Sequence, residues 1–156
     1  MQLSLHAEYA LRVLLYVGIY PDRVISTDEI SLAYGISKHH LVRVAQTLAG
    51  HGYLRVAPGR FGGLSLSTDP RLIRLGEVVR RAEPSLRLAE CFDKGANTCV
   101  ISPVCSLKPI LWEALESFLA TLNRYTLADL LSGNASKLMG KQFVTITARP
   151  RVRNRA

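Results

Sequence analysis

The chain has 156 residues, 48% of them apolar, with a formal net charge of +8 and a pI near 9.8. That length can bury one good core, or one small domain plus an oligomerisation element. No stretch reaches the ~20 uncharged apolar residues of a membrane span, and Glu8 and Arg12 interrupt the apolar opening, so neither a transmembrane segment nor a secretory signal is expected. The cations favour a polyanionic partner. They are unevenly spread: no acid lies between Glu29 and Asp69, where Lys38, Arg43, Arg55 and Arg60 are joined by His39, His40 and His51.

Residues 3–20 place Leu3, Ala7, Ala10, Leu11, Leu14, Leu15 and Gly18 at helical spacing, which predicts a mostly buried first helix ending before Pro21. Glu8 and Arg12, four apart, read as a surface ion pair on it. Ser26 and Glu29 form the S-x-x-E of a capping box and start a helix over 27–34, which Tyr34-Gly35 ends. Ser37 is a good N-cap for a helix over 38–50 with Leu41, Val44, Ala45 and Leu48 as its apolar stripe. Two short helices about a glycine turn make a helix-turn-helix. In that motif the first residues of the second helix meet base edges in the major groove, so Ser37, Lys38, His39, His40 and Arg43 are candidate DNA-binding residues. A merely solvated basic face is the competing reading.

Two short strands, 53–57 and 64–67, flank the turn-rich PGRFGG at 58–63. A hairpin directly after a helix-turn-helix is the wing of a winged helix, and Arg60 at its tip is placed to enter a minor groove or touch phosphate. Asp69-Pro70 is expected to cap a helix over 71–82, which Glu83-Pro84 breaks. A long helix over 106–125 follows, with Leu107, Leu111, Ala114, Leu115, Phe118, Leu122 and Tyr125 on one side. A stripe of that length outside the DNA-binding part is expected to pack against a second copy of the chain. A short helix over 126–131 ends at Ser132-Gly133. The end of the chain, rich in arginine from Arg149 on and without acid after Asp129, reads as a flexible solvated tail.

All three cysteines fall in the loop CFDKGANTCVISPVC, as Cys91, Cys99 and Cys105, at C-x7-C-x5-C spacing. Disulfides would leave one thiol over. A structural zinc site normally shows shorter ligand pairs. Three small residues packing as apolar side chains is the plain alternative, although Asp93, Lys94, Asn97, Thr98 and Ser102 make the surroundings polar. The remaining reading is an iron–sulfur cluster held by three thiolates, with a fourth ligand supplied from elsewhere or an open position. The expected architecture is mostly α: a winged helix-turn-helix over 1–82, a cluster-binding loop over 83–105, a dimerisation helix and short end helix over 106–135, and a flexible basic tail over 136–156.

Over about residues 1–135 the chain resembles the winged-helix iron–sulfur repressors of the NsrR, IscR and RirA type. The motifs that carry the resemblance are MQLSLHAEYALR, YGISKHHLVRVAQTLAGHGYL, GRFGGLSLS, the three cysteines and LNRYTLADLL. EVVRRAEPSLRLAEC, VISPVCSLKPIL and NRYTLADLL make the nitric-oxide-sensing branch the best match. Lys108 stands where IscR-like members carry a histidine. The resemblance implies a cytoplasmic homodimeric repressor, not an enzyme, that binds two-fold symmetric operator DNA and lets go when nitric oxide attacks its cluster. That cluster is expected to be [4Fe-4S], with [2Fe-2S] as the alternative. It further implies that Glu8, at the position of an aspartate in some members, completes the ligand set of the partner protomer's Cys91, Cys99 and Cys105. An iron- or cluster-responsive repressor on the same fold is the second reading, and a redox enzyme or electron carrier the third.

Overall fold

The computed structural model describes residues 2–59, 62–93 and 95–147, the last by its main chain alone. The fold is mostly helical with one two-stranded antiparallel sheet. Helix α1 (Leu5–Ile19) is the central post: Ser4 caps it by accepting from Ala7 N at 3.2 Å, and Ala7, Ala10, Val13, Leu14, Tyr16 and Val17 are buried on it. Among the described residues, no helix is long and apolar enough to cross a membrane.

Helix α2 (Thr27–Tyr34) starts where Ser26 Oγ accepts from Glu29 N at 3.1 Å. The other half of the expected capping box does not form. The Glu29 carboxylate turns away to accept from Tyr16 OH at 2.9 Å and to pair with Arg23, tying α2 to α1. Gly35 ends α2 in the left-handed region at φ 68°, which costs a residue without Cβ little, and its N–H donates to Ser31 O at 2.9 Å. Ile36 is buried in the turn, and α3 (Lys38–Gly50) follows with Leu41, Val44, Ala45 and Leu48 inward, as the apolar spacing predicts.

Strands β1 (Leu54–Ala57) and β2 (Gly63–Leu66) pair antiparallel from Leu54↔Leu66 to Ala57↔Gly63. Ile25, just before α2, adds a bridge to Leu64 with hydrogen bonds of 2.9 and 2.7 Å. Tyr53 N donates to Leu48 O at 2.9 Å, so the hairpin is fastened to the end of α3.

The expected helix over 71–82 is shorter than the sequence reading. Pro70–Leu72 is a single 3-10 turn, capped by Asp69, whose carboxylate accepts from the Arg71 side chain and main chain and is thereby held down at about 2. Ile73 and Arg74 are extended, and α4 covers only Leu75–Ala82. The reason is a long-range pairing: Leu127 N donates to Ile73 O at 2.8 Å and Leu75 N to Tyr125 O at 3.0 Å, which takes Ile73 out of helical geometry and buries it completely.

Helix α5 (Leu107–Leu122) lies on α4 and α1. Leu115 and Leu119 are buried with Val79, and Leu3, Leu11, Phe118 and Leu122 pack around them. Much of the stripe read as a dimer seam is therefore used within the chain, while Leu107, Ile110 and Trp112 stay exposed. Gly76 permits the close approach: a Cβ there would meet Leu119 O at 2.4 Å and Asn123 Oδ1 at 2.5 Å. Asn123 Oδ1 accepts from Glu77 N at 2.9 Å, capping α4 from outside.

Helix α6 (Leu127–Leu131) opens with a complete capping box between Thr126 and Asp129. Residues 135–147, expected as mostly flexible tail, instead form α7 (Ala135–Thr147). Phe143 anchors it, buried against Tyr16 and Tyr34 at centroid distances of 4.8 and 5.1 Å. Burial pushes the Tyr34 phenol up to about 12, and burial together with the Glu29 hydrogen bond raises that of Tyr16 further.

Candidate functional site

The apolar stripe of α3 fixes which side of the helix faces out. With Leu41, Val44, Ala45 and Leu48 buried, Lys38, His39, His40, Arg43 and Gln46 are exposed together, and Ser37 caps the helix by accepting from His40 N at 3.5 Å. The structure thus gathers five of the six sequence-predicted DNA-binding residues on one face. The sixth, Arg60, lies outside the described residues, though the paired strands bring the hairpin up to Gly59 on one side and Gly62 on the other.

Around that face are partners the sequence reading missed. Lys38 is ion-paired with Asp28 of α2, so one of its cations is shared with the neighbouring helix. His6 of α1 contacts Thr47 Oγ1 at 3.0 Å, and Thr47 Oγ1 donates to Arg43 O at 3.2 Å. The hydroxyl has one proton to give, so His6 Nε2 is the donor in the first of these bonds. His6, Tyr9, His40 and Arg43 line a cleft of about 220 Å³ between α1 and α3. Tyr9 and His40 ring centroids are 6.1 Å apart, and the Arg12 guanidinium lies over Tyr9 at 5.8 Å and over Tyr34 at 5.7 Å. The aromatic and basic residues of the first helix carried this signal, but periodicity says only that they leave its buried face.

The three cysteines line one irregular loop. Cys91 sits in a 3-10 turn (Glu90–Phe92), and Cys105 directly follows another (Ser102–Val104) and precedes α5. All three are half-exposed and unbridged, and none belongs to either apolar core. This disfavours their use as packing residues. Among the described residues, no three His, Cys, Asp or Glu side chains are drawn together so as to hold a metal ion. The donor set still suits a thiophilic group: three accessible thiols, with the loop's carboxylates engaged elsewhere, Asp93 by Arg87 and Glu90 by Thr98 at 3.1 Å. Glu8, the expected fourth ligand, is part-exposed on α1 and paired with Arg12 of its own chain.

A helix-turn-helix that exposes cations along its second helix, with a two-stranded wing fastened to that helix, defines a winged-helix DNA-binding regulator. The match to known proteins narrows this. The model of the Rrf2 family, described as iron-dependent transcriptional regulator, matches residues 3–133. The chain is 45% identical over 132 residues to the HTH-type transcriptional regulator NsrR of Bacillus subtilis (strain 168), covering 84% of this chain and 90% of that protein. To NsrR of Geobacillus kaustophilus (strain HTA426) it is 46% identical over 137 residues, covering 87% and 93%. Its fold is similar to that of CymR, the global cysteine regulator of B. subtilis, with a TM-score of 0.66 at 22% identity over 88% of this chain and 98% of that one. T. potens IscR is similar with a TM-score of 0.63 at 23% identity, covering 84% and 86%. The chain belongs to the Rrf2 family: it is a transcriptional regulator and not an enzyme.

Proposed function

We propose that this regulator is a cytoplasmic homodimeric repressor that binds a two-fold symmetric operator, carries an iron–sulfur cluster, probed by nitric oxide, and releases DNA when that cluster is attacked. The observation that carries the reading is the set of accessible, unbridged thiols at Cys91, Cys99 and Cys105 on the loop that runs straight into α5, in a chain 45% identical to a regulator named NsrR. These thiols would hold the group, with Glu8 of the partner subunit as fourth ligand. When bound, a four-iron cluster with one carboxylate-held iron offers a site that a small ligand can reach.

Everything else is done by the chain's own residues. Ser37, Lys38, His39, His40 and Arg43 contact the major groove and its edges, and Arg60 extends the grip at the wing. The exposed Leu107, Ile110 and Trp112 of α5 meet their equivalents on a second copy, which sets the separation of the two α3 helices. The loop and the DNA face are joined by packed elements: α5 rests on α4 through Val79, Leu115 and the Arg80–Glu116 pair at 2.7 Å, and both rest on α1. If Glu8 leaves Arg12 to serve the partner's loop, the Arg12 guanidinium is freed beside Tyr9, whose ring borders His40 of α3. Loop state thereby biases two dimer geometries, of which one fits the half-site spacing.

The test is anaerobic reconstitution followed by iron and sulfide analysis, a visible spectrum and DNA binding during nitric oxide titration. The reading expects a coloured protein with acid-labile sulfide whose DNA affinity collapses as the titration completes. Colourless protein without sulfide would remove the cluster. Retention of DNA at full nitric oxide equivalence, with loss on iron chelation, would favour the iron-responsive alternative, which the C-x7-C-x5-C spacing also suits.

A further inference from the structure

Helix α7 ends beside the DNA-binding helices. Phe143 is wedged between Tyr16 of α1 and Tyr34 of α2, and Val144 lines a cleft with Asp28, Glu29 and Leu32 of α2. Asp28 is in turn paired with Lys38 at the start of α3. The last described residue, Thr147, follows Val144 within one helical turn, so residues 148–156 depart from the flank of the helix-turn-helix. Their sequence is ARPRVRNRA: Arg149, Arg151, Arg153 and Arg155, with no acid. The acids nearest the exit already have partners, Asp28 in Lys38 and Glu29 in Arg23 and Tyr16. The Rrf2 match stops at residue 133, so α7 and the arginines lie beyond the segment that defines the family.

We infer that the four arginines are a second DNA-binding element, gripping backbone phosphates that flank the half-site contacted by α3 and the wing. The inference rests on the operator-binding reading above and adds a separate contact region to it. A guanidinium pairs phosphate oxygens in a fork, and its contacts with the backbone carry no base preference. Nine residues reach at most about 30 Å from Thr147, close to one turn of duplex at roughly 34 Å. Each neutralised phosphate adds ~0.9 to the slope of log affinity against log salt. Four arginines in each of two protomers therefore contribute up to ~7, from DNA outside the recognised sequence.

The experiment uses the full chain and a two-fold symmetric duplex enriched by the wild-type protein from a random pool, in a core form of about 25 base pairs and one extended by roughly one turn on each side. Wild type is expected to bind the extended duplex at least about ten-fold more tightly at moderate salt, with the steeper salt slope. The full-length variant with Arg149, Arg151, Arg153 and Arg155 all changed to Gln is expected to keep core affinity and its melting temperature, and to lose the length preference. The same four changed to Lys should retain most of it. A Gln variant that keeps the wild-type length preference and slope overturns the inference, as does one that weakens equally on both duplexes. Binding of wild type to anionic vesicles, lost in the Gln variant whose DNA binding is intact, would assign the tail to a membrane surface and overturn it too. If wild type binds neither duplex, the operator reading fails with it, a result distinct from failure in the variant alone.

Discussion

The packing of α4 on α5 makes a sharp prediction from a single methyl group. In Gly76→Ala the new Cβ would lie 2.4 Å from Leu119 O and 2.5 Å from Asn123 Oδ1, whereas ordinary contact begins near 3.4 Å. The two helices must separate by ~1 Å, and the separation strains the Asn123 Oδ1–Glu77 N hydrogen bond. Overpacking of this kind costs about 1–3 kcal/mol and a weakened hydrogen bond about 1 kcal/mol, against a helix-propensity gain of up to about 1 kcal/mol. The net loss of ~2 kcal/mol lowers Tm by roughly 6 °C for a chain of this size. Gly50→Ala is the matched control: nothing lies within 4 Å of its Cβ and it sits in α3, so the same methyl should be neutral or stabilising. Thermal melts of both variants at one fixed protein concentration decide the matter, because dimerisation makes Tm concentration-dependent. A Gly76→Ala melt indistinguishable from wild type would show that α4 and α5 are not in this close register.

Three further outcomes are expected. Arg43 borders the cleft between α1 and α3 rather than the α3 N-terminus, so Arg43→Ala should weaken specific and non-specific DNA alike and flatten the salt slope by ~0.9 per protomer; a loss confined to the preferred sequence would instead make it a base reader. Asp28→Asn releases Lys38 from its ion pair and should raise DNA affinity with a steeper salt dependence, and a fall in affinity would contradict the competition between Asp28 and phosphate. The buried phenols give an alkaline prediction. Because folded Tyr34 is raised to about 12 and Tyr16 is also raised, both keep their protons through the range where unfolded tyrosines ionise, so stability present below about pH 10 falls as pH rises toward 12. Phenolate absorbance and helical circular dichroism should then change together above pH 10. A single titration of all six tyrosines near pH 10 with the helices intact would contradict it.

The readability of this chain divides along a physical line. Helices α1 to α3 and the hairpin were legible because each is specified locally: apolar residues at helical spacing, serine caps at Ser26 and Ser37, glycine at the turn, and a Gly-rich hairpin tip. The start of α4 was not, since Ile73 is pulled straight by Tyr125–Leu127, some fifty positions away, and no local pattern announces that pairing. Helix α5 has apolar residues on two faces, and spacing cannot say which face stays at home: Leu115 and Leu119 do, Leu107 and Ile110 do not. In α7 the anchor Phe143 was visible as an apolar residue, but its lysines and the arginines beyond drew the whole segment into a solvated tail. Among the site residues, the shared face of α3 followed from its stripe. The pairing of Lys38 with Asp28 and the approach of His6 and Tyr9 depended on how α1 and α2 cross α3, which composition does not encode.

The bridge between Ile25 and Leu64, with the bond from Tyr53 to Leu48, locks wing and recognition helix into one reading head. Such a head cannot alter what it reads when a distant loop changes; it can only be carried closer to or farther from its twin. Target choice and responsiveness are then separable inheritances. Substitutions along residues 38–43 can redirect a protein of this design to new genes while leaving its trigger intact, and changes around the cysteines can retune the trigger without rewriting the address.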